Sequence, residues 1–150
     1  MKKVIWFSRH PISFEEREAI KKWVHKKYGN NQDVEVIYMK EEAQKILASA
    51  SDVAETYKNI VDTAKDNDCV AVFGVFPAPI RELLVYEHLN EYMDELRHAD
   101  LHIHRWIPAL EAWNVSRPPL PEDNMPHSLI ANSTPTFKFK QWCYVGKFEI

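Results

Sequence analysis

The sequence predicts an α/β fold, in which a mainly parallel, Rossmann-like sheet is flanked by helices. Short, continuously apolar segments, typical of strands that are buried on both faces, alternate with longer segments of helical periodicity. This alternation is typical of parallel sheets whose strands are connected by helices. The chain has 150 residues, of which 45% are hydrophobic and 27% charged, the size and composition of one ordinary domain. We therefore predict a single domain over residues 1–150.

The first strand and helix are marked by clear boundary signals. Residues 3–8 form a continuous apolar run that predicts a strand. Pro11 prevents the preceding residue from continuing as a helix. Ser13 and Glu16 have the spacing of a capping box, in which two free backbone N–H groups are satisfied reciprocally. Apolar residues then recur at helical spacing as far as Tyr28, which predicts a helix after Ser13.

The middle of the chain continues the alternation. Residues 33–39 predict a second strand, and residues 41–66 predict helix because they contain no glycine or proline. Ser51 and Asp52 mark a candidate point at which a second helix begins. Residues 69–76 are almost wholly apolar and predict a central strand.

The second half of the chain is less regular. A third helix is predicted from about Pro79 to Arg97, and a fourth strand over residues 101–107, ending at Pro108. Residues 108–135 are rich in proline and lack periodicity, so we predict a long loop or lid. The alternating residues 137–150 predict a C-terminal edge strand or hairpin.

The composition excludes several classes of protein. Three glycines are too few and too scattered for the Walker A or GxGxxG phosphate loops. Two cysteines are too few for a disulfide framework, and no apolar run is long enough for a membrane span or a signal peptide. We therefore predict a cytoplasmic protein that does not interact with membranes.

No cofactor and no metal are expected. His102 and His104 lie two residues apart on the predicted fourth strand, a spacing that can bind zinc, but the sequence offers no evident third ligand. Neither cysteine lies in a CxxC pair.

Positive charge is concentrated at the start of the chain. The first 30 residues carry eight Lys and Arg against three Glu, although the whole chain has a net charge of −3. Two explanations remain open at this point, a solvated helix face and an end of the molecule that faces an anion.

Polar side chains follow three predicted strands, at the edge of a parallel sheet where ligands bind. Hydroxyl, guanidinium and imidazole groups together with helix N-termini suit a phosphate. The sequence therefore predicts that a phosphate-bearing small ligand binds there, with Arg9 as the principal anion-binding residue and Arg81 and Arg105 as secondary charges. The candidate ligand-binding residues are Ser8, Arg9, Ser13, Gly74, Phe76, Arg81, His104 and Arg105.

His10 and Arg9 are the candidate catalytic residues, with His10 as a general acid. Structural roles are alternatives for the same positions. Arg9 could form a surface salt bridge, His10 could cap a strand end, and Gly74 could serve packing between a helix and a strand.

Two short motifs, Trp-Phe-Ser-Arg-His-Pro at residues 6–11 and Phe-Gly-Val-Phe-Pro at residues 73–77, resemble those of small CRISPR-associated ring nucleases and CARF-type Rossmann-like proteins. The resemblance implies a homodimer that binds cyclic oligoadenylate with Ser8, Arg9 and His10 near its phosphates. If the protein is an enzyme, the resemblance implies a metal-independent phosphodiesterase, in which a ribose 2′-hydroxyl attacks its own phosphate. A phage or mobile-element protein that sequesters such a ligand would carry the same motifs.

A non-enzymatic protein-interaction module is the alternative. In that case the proline-rich loop and an aromatic surface would contact a protein partner, and the strand ends would be empty. The aromatic residues of that predicted surface are Trp106, Trp113, Trp142 and Tyr144.

Overall fold

The computed structural model describes residues 1–84, 105–117 and 136–150. Its strands are β1 (Lys2–Phe7), β2 (Val34–Tyr38), β3 (Ala71–Gly74), β4 (Trp106–Arg117) and β5 (Thr136–Glu149). Its helices are α1 (Phe14–Tyr28), α2 (Lys40–Gln44) and α3 (Ala50–Asp66). Residues 78–84 are also helical and are called α4.

The five strands form one sheet in the order β2-β1-β3-β4-β5. The pairs β1–β2, β1–β3 and β3–β4 are parallel, and β4–β5 is antiparallel. This confirms the predicted α/β fold with a mainly parallel sheet and a C-terminal edge strand. Because β2 and β3 lie on opposite sides of β1, the strand order reverses at β1. Ligands of such sheets bind in the crevice at the carboxyl ends of the strands beside this reversal.

Helices cover both faces of the sheet. On one face, Ile20 and Val24 of α1 belong to the same buried cluster as Trp6 of β1. On the other face, Ile60 of α3 and Leu84 of α4 belong to a second cluster. Both faces of β1 and β3 are therefore buried, as their apolar sequences predict. In the part of the chain that the structure describes, no helix has both the length and the apolar composition needed to cross a membrane.

The predicted helical segment 41–66 is interrupted, and the restart lies earlier than predicted. Helix α2 ends at Gln44, and α3 begins after Ser49 rather than at Ser51. The Ser49 hydroxyl accepts from the Asp52 N–H at 3.2 Å, and the Asp52 carboxylate accepts from the Ser49 N–H at 3.1 Å. This capping box contains Asp in place of the usual Glu or Gln, and it fixes where α3 begins.

The prediction that the fourth strand ends at Pro108 is wrong. Strand β4 continues through Pro108 to Arg117, so the predicted loop over 108–135 is also wrong in its first part. Pairing with β3 begins only at Ala109, so Pro108 does not need to donate a hydrogen bond to β3. Residues 118–135, most of the predicted third helix and positions 101–104 lie outside the described residues.

The C-terminal segment is one strand rather than a hairpin. Strand β5 pairs with β4 from Thr136 to Glu149, but the register shifts between Trp113 and Asn114 of β4. The shift brings Phe139 and Trp142, which strict alternation separates, to 4.9 Å between ring centroids. Trp142 also packs against Trp6 and Phe73 at 6.3 and 4.7 Å. It is therefore part of the packing beneath α1, not of an open aromatic surface.

We expect Gly74→Ala to destabilise the fold severely. A Cβ at this position would lie 1.9 Å from the backbone oxygen of Phe7, and φ is +156°. Relief of that clash requires β1 and β3 to move apart, which should cost about 3 kcal/mol or more. Urea unfolding measures the loss. Gly29→Ala is the control, because its φ of +111° brings a similar backbone strain but its Cβ would meet only the Asn31 side chain, at 3.2 Å, and a smaller loss of about 1–2 kcal/mol is expected. Equal losses would contradict this account.

Cys69 should resist alkylation in the folded protein. It is fully buried two residues before β3, and burial raises the pKa of its thiol to about 11. Because the reactive thiolate is then scarce at pH 8, iodoacetamide should label the half-buried Cys143 first. Mass spectrometry after timed labelling checks this order, and unfolding in urea should make both thiols reactive. Faster labelling of Cys69 in the native protein would contradict its burial.

Candidate functional site

A cavity of about 840 Å³ opens at the carboxyl ends of β1 and β3, where the strand order reverses. Its volume falls within the range of small-molecule sites, and its lining is mostly apolar, as in such sites. The lining residues are Trp6, Ser8, Arg9, His10, Glu16, Ala43, Gln44, Lys45, Ile46, Leu47, Val75, Phe76, Pro77 and Pro79.

The turn after β1 is fixed by two hydrogen bonds. The buried Ser8 hydroxyl accepts from the His10 N–H at 3.1 Å. The indole Nε1 of Trp6 donates to the His10 carbonyl at 3.0 Å. Arg9 and His10 are themselves exposed. The core of the protein thus fixes the backbone from which these two side chains reach the cavity.

Arg9 and Lys45 bring positive charge to the cavity in different ways. Lys45 forms an ion pair of 2.9 Å with Glu42, and this hydrogen bond raises the pKa of Lys45. Within residues 1–84, 105–117 and 136–150, no ion pair involves Arg9. The guanidinium of Arg9 is therefore better placed than the ammonium of Lys45 to bind an anionic ligand.

The wall formed after β3 is held from the neighbouring strand. The Phe76 N–H donates to Glu111 of β4 at 2.8 Å, and the Phe76 ring stacks on Phe7 at 5.8 Å between centroids. The Glu111 carboxylate also accepts from Nη2 of Arg81 at 2.8 and 2.9 Å. Glu111 thus joins β4, the cavity wall and α4.

No family model, curated protein or solved structure matches the chain. The geometry of the cavity is therefore the main basis for inferring what the protein does. Among the described residues, no group of three or more His, Cys, Asp and Glu could hold a metal ion. His102 and His104 lie outside those residues.

The structure brings four of the predicted site residues together, since Ser8, Arg9, His10 and Phe76 all line the cavity. Ser13 does not line it. The Ser13 hydroxyl accepts from the Glu16 N–H at 3.1 Å and so caps α1.

Four further predicted positions do not line the cavity or lie outside the described residues. At Gly74 the backbone of β3 approaches Phe7 closely, and Arg81 forms an ion pair with Glu111. Arg105 lies at the opposite edge of the sheet, because β4 begins rather than ends beside it, and it contacts Asp68 and the Cys69 carbonyl. His104 is not among the described residues.

Sequence reasoning missed Glu16 and residues 43–47 as parts of the cavity. The capping pattern predicts for Glu16 only a role in the cap of α1. The absence of glycine and proline predicts that residues 43–47 lie inside a helix, although the pattern of Ser49 and Asp52 indicates that a helix restarts after them.

Replacing Glu111 by Ala should destabilise the protein more than replacing Arg81 by Ala. The first change leaves the partly buried Phe76 N–H without its acceptor, which costs about 1–3 kcal/mol. The Arg81 side chain is 50% exposed, so its ion pair should contribute about 1 kcal/mol or less. Urea unfolding of both variants measures the difference, with Glu111→Gln as the control that retains an acceptor. A larger loss for Arg81→Ala would contradict this assignment.

Proposed function

We propose that the cavity binds a nucleotide or cyclic oligonucleotide through a phosphate group, with Arg9 as the principal anion-binding residue. The observation that carries the proposal is the position of Arg9. It lies on a turn fixed by Ser8 and Trp6, at the carboxyl end of β1 where the strand order reverses, and it lines a cavity of about 840 Å³. In sheets of this kind, that place is where phosphate-bearing ligands bind.

The chemistry of the lining supports a ligand with one charged and one apolar part. A guanidinium offers two parallel N–H donors that match two phosphate oxygens. Val75 and Ile46 line the same cavity and are 50% and 86% exposed. Such apolar surface suits the face of a nucleobase, whereas inorganic phosphate alone would leave it uncovered.

The resemblance to ring nucleases supports a cyclic oligoadenylate as the ligand. Residues of both motifs, at positions 6–11 and 73–77, line this one cavity. In a cleavage reaction, a ribose 2′-hydroxyl would attack the phosphorus of the adjacent phosphate on the same ribose and lose its proton to water. The bond from phosphorus to the 5′-oxygen would break, and His10 would protonate that oxygen as a general acid. The homodimer that the resemblance implies belongs to the same proposal.

Isothermal titration calorimetry with inorganic phosphate, AMP and cyclic tetra-adenylate tests the binding proposal. Arg9→Ala should weaken the binding of each ligand by about tenfold or more, because a charged hydrogen-bonding partner is lost. Lys22→Ala is the matched control. Lys22 is exposed on α1 and does not line the cavity, so its removal should leave affinity nearly unchanged.

The proposal is overturned if the wild type binds none of the three ligands. It is also overturned if wild type and Arg9→Ala bind them with equal affinity. Cleavage is checked separately by chromatography of cyclic tetra-adenylate after incubation. Linear products that form with wild type and not with His10→Ala would support catalysis by His10, whereas an intact ring would leave binding as the function.

A further inference from the structure

Glu16 brings a carboxylate to the same cavity as Arg9. Its Oε1 accepts from the Ser13 N–H at 3.0 Å, and its own N–H donates to the Ser13 hydroxyl at 3.1 Å. The capping box therefore fixes the side chain at the start of α1. Glu16 is half-buried and lines the cavity.

This carboxylate is unfavourable in a site for phosphate alone. Two negative charges in one cavity repel each other, and the repulsion weakens the binding of any anion. A carboxylate is, however, a strong acceptor for ligand groups that donate hydrogen bonds. Nucleotides carry such donors on the ribose and on the base, away from the phosphate.

We propose that Glu16 accepts a hydrogen bond from a ribose hydroxyl or base amino group, and so makes the site select ligands that carry such a donor beside a phosphate. The inference rests on the proposed binding of phosphate by Arg9. In this arrangement the guanidinium of Arg9 binds the phosphate, and the carboxylate of Glu16 binds a neutral donor elsewhere on the same ligand. Glu16 is thus a specificity-determining residue as well as a helix cap.

Glu16→Gln tests the inference without removing the cap, because Gln also serves at this position of a capping box. Calorimetry with AMP and with inorganic phosphate should give opposite results. AMP should bind about three- to tenfold more weakly, because a charge-assisted hydrogen bond becomes a neutral one. Inorganic phosphate should bind as tightly or more tightly, because the repulsion is gone. A purely structural role would change both affinities in the same direction.

Glu15→Gln is the matched control. It removes the same charge from the same turn of α1, but Glu15 is exposed and does not line the cavity. Analogues then locate the donor, since 2′-deoxy-AMP, 3′-deoxy-AMP and IMP each lack one candidate group. The analogue that lacks the partner of Glu16 should bind to Glu16→Gln as tightly as to wild type or more tightly.

The outcomes separate this inference from the binding proposal. If Glu16→Gln binds AMP as tightly as wild type or more tightly, or binds every analogue more weakly by the same factor, the inference is overturned. A weakening by Arg9→Ala in the same titrations would leave the binding proposal standing. If wild type binds neither phosphate nor AMP, the inference is overturned, and the binding proposal is overturned with it only if cyclic tetra-adenylate also fails to bind.

Discussion

The backbone of β3 can approach the Phe7 carbonyl because Gly74 carries no Cβ. As a result, β1 and β3, the neighbouring strands at the reversal of strand order, end side by side. A Cβ at Gly74 would overlap the Phe7 oxygen, which instead accepts from the Val75 N–H at 2.9 Å. Beyond this contact the two chains separate, one into the turn of Ser8 and the other towards Phe76. The cavity lies where they separate, so its existence depends on a glycine that is not among its lining residues.

The walls of the cavity are held by different forces. The turn at Ser8 is fixed by neutral hydrogen bonds within four residues of sequence, so local sequence determines it. Phe76 is fixed by Glu111, which lies 35 residues away on β4, so that wall forms only when the sheet is assembled. The third wall follows α2, a helix of 5 residues with no buried residue. Its Glu42 bonds to Lys45 and to Asn59 of α3.

These differences explain how far the sequence could predict the site. The buried strands β1 and β3 and the cap of α1 follow from local patterns, and so does the place of Ser8, Arg9 and His10 at a strand end. The partner of Arg81 could not be predicted, because it depends on the register of β4. Arg105 is predicted at the carboxyl edge of the sheet but lies at the opposite edge for the same reason. The sequence around it does not reveal whether the strand ends or begins there, and in the structure β4 begins at Trp106. The start of α3 lies two residues before the predicted one, because the capping box at Ser49 contains Asp in place of Glu and is harder to recognise.

The basic character of the first 30 residues has a structural explanation that separates it from the cavity. Lys2 and Lys27 lie over the rings of Tyr28 and Trp23, at 4.8 and 5.0 Å. Lys21 pairs with Glu18. Of the Lys and Arg residues in positions 1–30, all of which the structure describes, Arg9 alone lines the cavity. Surface charges are screened over about 8 Å at physiological ionic strength, so affinity for an anion should depend on where one guanidinium is held, not on the charge of the whole segment.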